Sequence, residues 1–417
     1  MEKKQNVPAL RFQGFSGEWE KYNLSMLSGV ITKGTTPLDK SGKGDVNFIK
    51  IENIDANTGA IHVTQKISQE EHNGYLKRSQ LKENDILFSI AGTLGRVAVV
   101  KANLLPANTN QALAIIRLKK GNFQYVKTYL QGKAVENFLK ANPTVGAQPN
   151  LSLAQVGDLE VVMPEESKEQ ENISDFFQYW DELIFHTMAK IKRLRQFRQA
   201  MLTKLFPWEG AAEPELRFRG FSGKWRIRTL AKCAALHARI GWQNLRKSEF
   251  LTKGDYYLIT GTDFVDGQIE WRTCHYVSKL RYDQDKNIQV QNGDILVTKD
   301  GTLGKVAYVD GADKPATLNA GVFNVKINVN DVDAKYLYQY LKGPYLMDYV
   351  NQRATGGTIK HLNQNILVDF PVVMPSFEEQ KIIGDFFYRL DRYISLQQKK
   401  LERMQRLKAA LLEKLFV

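Results

Sequence analysis

Cysteine is nearly absent from this 417-residue chain; only Cys233 and Cys274 occur, outside any metal-binding spacing. That excludes a disulfide framework and a zinc site, and it suits a reducing compartment. The six histidines are scattered and no His-Glu-x-x-His pattern is present. No apolar run approaches the roughly 20 residues that a bilayer requires. The stretch Met1–Asn6 has no apolar leader core, so a cytoplasmic protein without membrane contact is expected. Phosphate-binding loops are missing too: Gly301-Thr302-Leu303-Gly304-Lys305 lacks both the spacing and the hydroxyl of G-x-x-x-x-G-K-[ST]. No G-x-G-x-x-G follows a strand, and Asn142-Pro143-Thr144 is not the Asn-Pro-Pro-aromatic motif of adenine amino-methylation. No cofactor is expected to be bound by this chain. A carboxylate cluster of the nuclease type is not excluded by inspection, because acidic residues lie near lysines throughout.

What is present is a duplication. Pro8–Trp19 reads PALRFQGFSGEW and Pro214–Trp225 reads PELRFRGFSGKW. Asp85–Ala98, DILFSIAGTLGRVA, returns as Asp294–Ala307, DILVTKDGTLGKVA. Met163-Pro164, Glu169-Gln170 and Asp175-Phe176-Phe177 return as Met374-Pro375, Glu379-Gln380 and Asp385-Phe386-Phe387, and Leu205-Phe206 as Leu415-Phe416. A period this long is a repeated domain with its appendage, not a solenoid. The net charge of +13 and pI near 9.4 point to a polyanionic partner, most often nucleic acid.

Each copy has a strand-rich front and a helical back. Asn47–Ile51 and Tyr256–Thr260 read as strands before glycine turns, as do the short apolar runs Asp85–Phe88 and Asp294–Val297. Gln111–Leu118 and Gly321–Ile327 alternate as strands, and a helix follows each, near Tyr125–Ala141 and Ala334–Gln352. The expected boundaries are 1–163 and 211–374 for two similar domains of α+β class, with long helices in 164–210 and 375–417. In those helices apolar residues step by four and three. The seam holds Ile173, Phe177, Trp180, Ile184, Ile191 and Leu194 in one copy, and Ile383, Phe387, Leu390, Ile394, Leu401 and Met404 in the other. Polar interruptions fall at matched rungs, Thr187 with Gln397 and Arg198 with Lys408. Ser167–Gln170 and Ser376–Glu379 fit helix-start capping boxes. Two such helices can form an antiparallel coiled coil, each about 33 residues and roughly 50 Å long. A helix packed only on its own domain is the competing reading.

The sharpest local signal is the paired glycine turn. Two glycines allow a tight bend that offers backbone N–H groups to phosphate, with Thr93 and Arg96, or Thr302 and Lys305, adding a hydroxyl and a cation. Lys299-Asp300 precede the second turn where Ile90-Ala91 precede the first, as expected of two heads reading different sequences. Asn108, Asn110 and Gln111, with Thr317 and Asn319 opposite, form a second candidate set, whose amides suit adenine edges. The loops holding Gln148 and Asn150, and Lys360 and His361, are the third candidate set. Ordinary turns and surface loops are the alternative reading for all three. The basic runs Lys190–Arg198 and Lys399–Lys408 read as solvated coiled-coil flanks or as surfaces for DNA or an acidic partner. The Leu-Arg-Phe-x-Gly-Phe-x-Gly-x-Trp segments read as the entry of the chain onto the domain core.

In this order, given twice, the motifs resemble the specificity subunit of a Type I restriction–modification system. The likeness rests on the Gly-Asp-Ile-Leu strand with its Gly-Thr-x-Gly turn (Asn84 replaces the first Gly in copy one), the Glu-Gln start of each helix and the closing Leu-Phe. The resemblance implies two target-recognition domains, each reading one half of a bipartite, asymmetric duplex DNA site. It implies helices that set the unread spacer and dock two methyltransferase subunits, with restriction subunits joining the complex. The partners are expected to use S-adenosylmethionine, ATP and Mg2+, and this chain to be non-catalytic. A self-contained DNA-processing enzyme, or a duplicated adaptor for protein or RNA, is the alternative.

Overall fold

The computed structural model describes residues 6–141, 150–207, 211–240, 245–353 and 361–417. The chain divides into two compact units, Met1–Lys190 with Gln398–Val417, and Ile191–Gln397. Each unit is one recognition domain plus a share of both long helices, because each helix passes from one unit into the other.

In the first unit, Ser28–Lys33, Leu113–Leu118, Ile86–Ser89 and Val97–Val99 form an antiparallel sheet in that order. A three-stranded sheet, Gln65–Ile67, Val46–Ile49 and Ala107–Thr109, lies in the same unit. The run at Ile86–Ser89 is apolar throughout because both of its faces are covered. Ile86 and Phe88 join the core that holds Tyr125 and Tyr129, while Leu87 faces a second core with Ile49 and Ile115. A ribbon of Glu20–Asn23 with Glu160–Met163 leads into the first long helix.

The second unit repeats this frame. Its larger sheet runs Ala234–Ala238, Val322–Ile327, Ile295–Thr298, Val306–Tyr308, Gln268–Ile269 and Phe264–Val265. Its four-stranded sheet runs His275–Val277, Tyr256–Ile259, Ala316–Leu318 and Gln289–Val290. The ribbon is Arg226–Thr229 with Pro371–Met374. The helices expected near 125–141 and 334–352 are each broken in two. Phe123–Leu130 and Lys133–Ala141 part at Gln131-Gly132, and Ala334–Lys342 and Pro344–Gln352 part at Gly343. Proline has no N–H to continue the ladder and starts a new helix instead.

The long helices are Ser167–Leu205 and Phe377–Leu415, 39 residues each. They form an antiparallel coiled coil. In the first unit Phe177, early in the first helix, stacks at 5.7 Å on Phe416, which closes the second. In the second unit Phe206, closing the first helix, lies 5.9 Å from Phe387, early in the second. The expected seam residues are buried or half-buried, and Ile173, Phe177, Ile383 and Phe387 also belong to the domain cores. Of the polar rungs, the cationic ones meet carboxylates across the pair, while Thr187 Oγ1 donates to Leu183 O in its own helix. Lys408 reaches Asp181 at 2.5 Å, and Arg198 reaches Asp391 at 2.5 Å.

The repeated motifs are the joints of this frame. Arg11 forks onto Glu169 at 2.7 and 2.8 Å and also donates to the Gly17 and Ser16 carbonyls. Arg217 does the same with Glu379, Gly223 and Ser222. The neighbouring glutamines accept from Asn122 N and Asp333 N, the first residues ahead of the domain helices. Trp19 and Trp225 are buried beside Phe416 and Phe206. Of the two expected capping boxes one forms in half: Ser376 Oγ accepts from Glu379 N at 3.3 Å, while the Glu379 carboxylate accepts from Arg217. In the first copy the matched position is Glu166, whose carbonyl accepts from Glu169 N and Gln170 N, and Ser167 lies one residue inside the helix.

Candidate nucleic-acid interface

The glycine turn in each unit is built by one hydroxyl that lies in the repeated segment ahead of the Gly-Thr-x-Gly turn. Ser89 Oγ donates to Thr93 O at 2.6 Å and accepts from Arg96 N at 2.7 Å, while Gly95 N donates to Ser89 O. Thr298 Oγ1 repeats this with Thr302 O at 2.5 Å and Lys305 N at 2.9 Å, and Gly304 N donates to Thr298 O. The amides of Gly95, Arg96, Gly304 and Lys305 are therefore spent inside the turn. They are not bare donors, as the glycine spacing suggests. What projects is the tip. Gly92 and Gly301, with φ of 70° and 72°, have open space where a Cβ would stand. Thr93 and Thr302 beside them are exposed.

The other two candidate segments come to this turn. In the first unit Ile90 N donates to Ala112 O and Leu151 N donates to Ile90 O. Asn110, Gln111 and Asn150 are thereby brought alongside the residues that lead into the turn, and Ala91 bridges Asn150 directly. In the second unit Lys299 N donates to Gly321 O, Leu362 N donates to Lys299 O, and His361 Nδ1 lies 2.6 Å from Asp300. Asn319 Oδ1 accepts from Ala320 N in the same corner. Three segments far apart in sequence thus converge on one edge, twice. Gln148 and Lys360 lie outside the described residues.

The two edges differ in chemistry. Gln111 bonds Thr36, and Asn110 Oδ1 accepts from Ala112 N. Arg96 is half-buried and donates to the carbonyls of Ile51 and Ile54 at 3.1 and 2.9 Å. Lys305, its counterpart, is exposed, and Lys299 sits 5.4 Å from the Phe323 ring. Asn108 and Thr317, expected among the candidate contacts, are instead fully buried. Asn108 binds His72, Leu76 O and Ser79, so its amide is spent on the fold. The contact with Thr36 marks a segment that pattern reading passed over, Lys33–Lys43. Lys33, Lys40 and Lys43 in it are exposed, beside Arg78, which donates to Thr35. Its only sequence signal is lysine within a Gly-rich loop.

Among the described residues no group of three or more His, Cys, Asp or Glu could hold a metal ion. Among the same residues no helix is long and apolar enough to cross a membrane.

A duplicated α+β domain with a shared frame and divergent edges defines a two-headed recognition protein. The chain belongs to the family described as Type I restriction modification DNA specificity domain, whose model matches residues 16–196 and 240–406. It is 22% identical to the type I restriction enzyme MjaVIII specificity subunit of Methanocaldococcus jannaschii over 79% of this chain and 77% of that protein. Its fold is similar to that of the S subunit of a Type I restriction–modification system from M. genitalium, with a TM-score of 0.68, 18% identity and 99% of each chain covered. A second solved chain, from work on complex assembly and conformational transition of the type I R-M system, has a TM-score of 0.50 at 16% identity, with 95% of this chain and 97% of that one covered. The resemblance carried by the repeated motifs is borne out. The chain is a DNA-specificity component and not itself a catalyst of methylation or cleavage.

Proposed function

We propose that each unit reads one half of a bipartite, asymmetric duplex site through the edge built around its glycine turn. The observation that carries this reading is the double convergence of turn, amide corner and loop on a common frame with different side chains. A fold that needed those residues for its own stability would keep them alike. Thr93, Asn110, Gln111 and Asn150 are the contacts proposed for one half-site. Lys299, Thr302, Lys305, Asn319 and His361 are those for the other. Exposed cations and hydroxyls position the backbone, and the amides discriminate bases. The long helices link the domains, fix the unread gap and dock two methyltransferase subunits. Restriction subunits join that complex in a reducing, cytoplasmic setting.

Exchanging residues 211–370 for the corresponding stretch of another family member tests the reading. With the methyltransferase subunits present, selection from randomised duplex DNA is expected to return a site with one half altered and the other kept. Alteration of both halves would refute independent reading.

A further inference from the structure

The second unit contains a cavity of about 540 Å³ where the glycine turn faces the helices. Four cations line it, Arg195 and Arg198 from the first long helix, Lys305 from the turn and Lys342 from the domain helix, against Asp266 and Asp391. Asp391 is already saturated, accepting from Arg198, from Gln339 at 3.0 Å and from Lys342 at 3.0 Å. Two positive charges remain without a counter-charge in the lining. Neither Arg195 nor Lys305 has a side-chain partner among the described residues. Burial, with Arg198 nearby, already pulls the Lys342 ammonium below the ordinary lysine range despite Asp391, so an added anion relieves repulsion.

The fold does not require this charge. The first unit has a cavity at the matched place, built on Gly59 and Asp181 where the second has Gly267 and Asp391. It is smaller, about 180 Å³, and less positive: Lys101 and Lys127, with Lys408 held on Asp181, stand against Asp181 and Glu182. Phe185 lines it where the second unit has Ser395. Arg96, the counterpart of Lys305, is turned to the carbonyls of Ile51 and Ile54. One copy has a smaller and less positive cleft, while in the other it is larger, more polar and more positive.

We propose that the second unit carries a phosphoryl-binding cleft formed by Arg195, Arg198, Lys305 and Lys342. An arginine fork with two lysine point charges suits a tetrahedral oxyanion. The phosphoryl group belongs either to the DNA backbone or to a free nucleotide. The cleft rests on its own geometry, and only the backbone source rests on the DNA reading.

The test is calorimetric titration of the full chain with pyrophosphate. Arg195→Gln and Lys305→Gln are exposed changes without partners to lose, and each is expected to weaken binding about tenfold, the value of one charge-assisted hydrogen bond. Lys286→Gln, an exposed lysine outside the cavity lining, serves as control and is expected to leave the affinity unchanged. Undetectable pyrophosphate binding in the low millimolar range, or equal affinity in all three variants, overturns the proposal. Displacement of pyrophosphate by duplex DNA of arbitrary sequence, with a flatter salt dependence in the Arg195→Gln/Lys305→Gln double variant, assigns the cleft to backbone phosphate. Displacement by ATP with DNA salt dependence unchanged assigns it to a nucleotide. A chain that binds pyrophosphate but selects no duplex site even with the methyltransferase subunits present sinks the half-site reading and keeps the cleft.

Discussion

Asp391→Asn removes the carboxylate that pairs with both Arg198 and Lys342, and its cost can be worked from the geometry. The carboxylate accepts from Arg198 through two nitrogens, at 2.5 and 3.3 Å, and from Gln339 and Lys342 at 3.0 Å each. Asparagine keeps the shape but turns an amide toward these donors and leaves Arg198 facing Lys342. Breaking a buried pair by deleting one partner costs about 3–5 kcal/mol, because a charge is stranded. For a unit of this size that lowers the unfolding midpoint by about 10 °C. Adding Lys342→Met removes the stranded lysine and is expected to restore most of the loss, so the double-mutant cycle shows strong coupling. Calorimetry of the full chain, with hydrogen exchange over 191–205 and 377–397 to locate the change, reads the effect. A midpoint shift under about 2 °C, or additive single variants, refutes the reasoning. Burial opposes ionisation of Asp391, but Lys342 and Arg198 outweigh it and hold the carboxyl below its ordinary range. Its contribution is thus full above the unfolded value of about 4 and is lost as the pH falls through the lower folded value. The wild type therefore loses more stability than Asp391→Asn across that acid window.

Lys305→Ala is expected to weaken duplex binding across sequences and to flatten the salt slope by about one unit; an unchanged slope in a binding titration removes Lys305 from the phosphate set. Inserting one heptad into both long helices adds about 10 Å of helix, so the selected site is expected to gain about three unread base pairs at 3.4 Å each, with both halves intact. A constant gap removes the helices from that role. Arg217→Ala strands Glu379, which is fully buried, and is expected to destabilise the second unit by about 3 kcal/mol, measured by thermal unfolding. Arg217→Lys is expected to recover only part, since a lysine lacks the fork.

The frame was legible because its signals are periodic or doubled. Leucines, isoleucines and phenylalanines at four-three spacing disclosed the helix pair. The Arg, Glu-Gln and Leu-Phe motifs recur because each is a joint of the same frame, with Arg11 on Glu169 and Arg217 on Glu379. The site was legible only as separate pieces. Ser89 and Thr298 stand at matched positions of the repeat, but the repeat does not say that their hydroxyls close the turn, and nothing local in Lys33–Lys43 marks a segment lying beside Gln111. The double break of the domain helices at Gly132 and Gly343 needed the packed cores to be seen.

Sequence alone determined the duplication, the class of each half and the family, because hydrophobic period and repeated order survive without coordinates. Tertiary structure alone decided what each charged side chain does. Arg96 and Lys305 occupy one position of the repeat, yet one is bonded to carbonyls and the other faces a positive cleft. Asp181 and Asp391 each gather two cations, but the domain lysine comes from Lys127 in one unit and from Lys342 in the other. Charge acts through space, so its partners are set by which segments the fold brings within a few ångströms, and chain order does not record that.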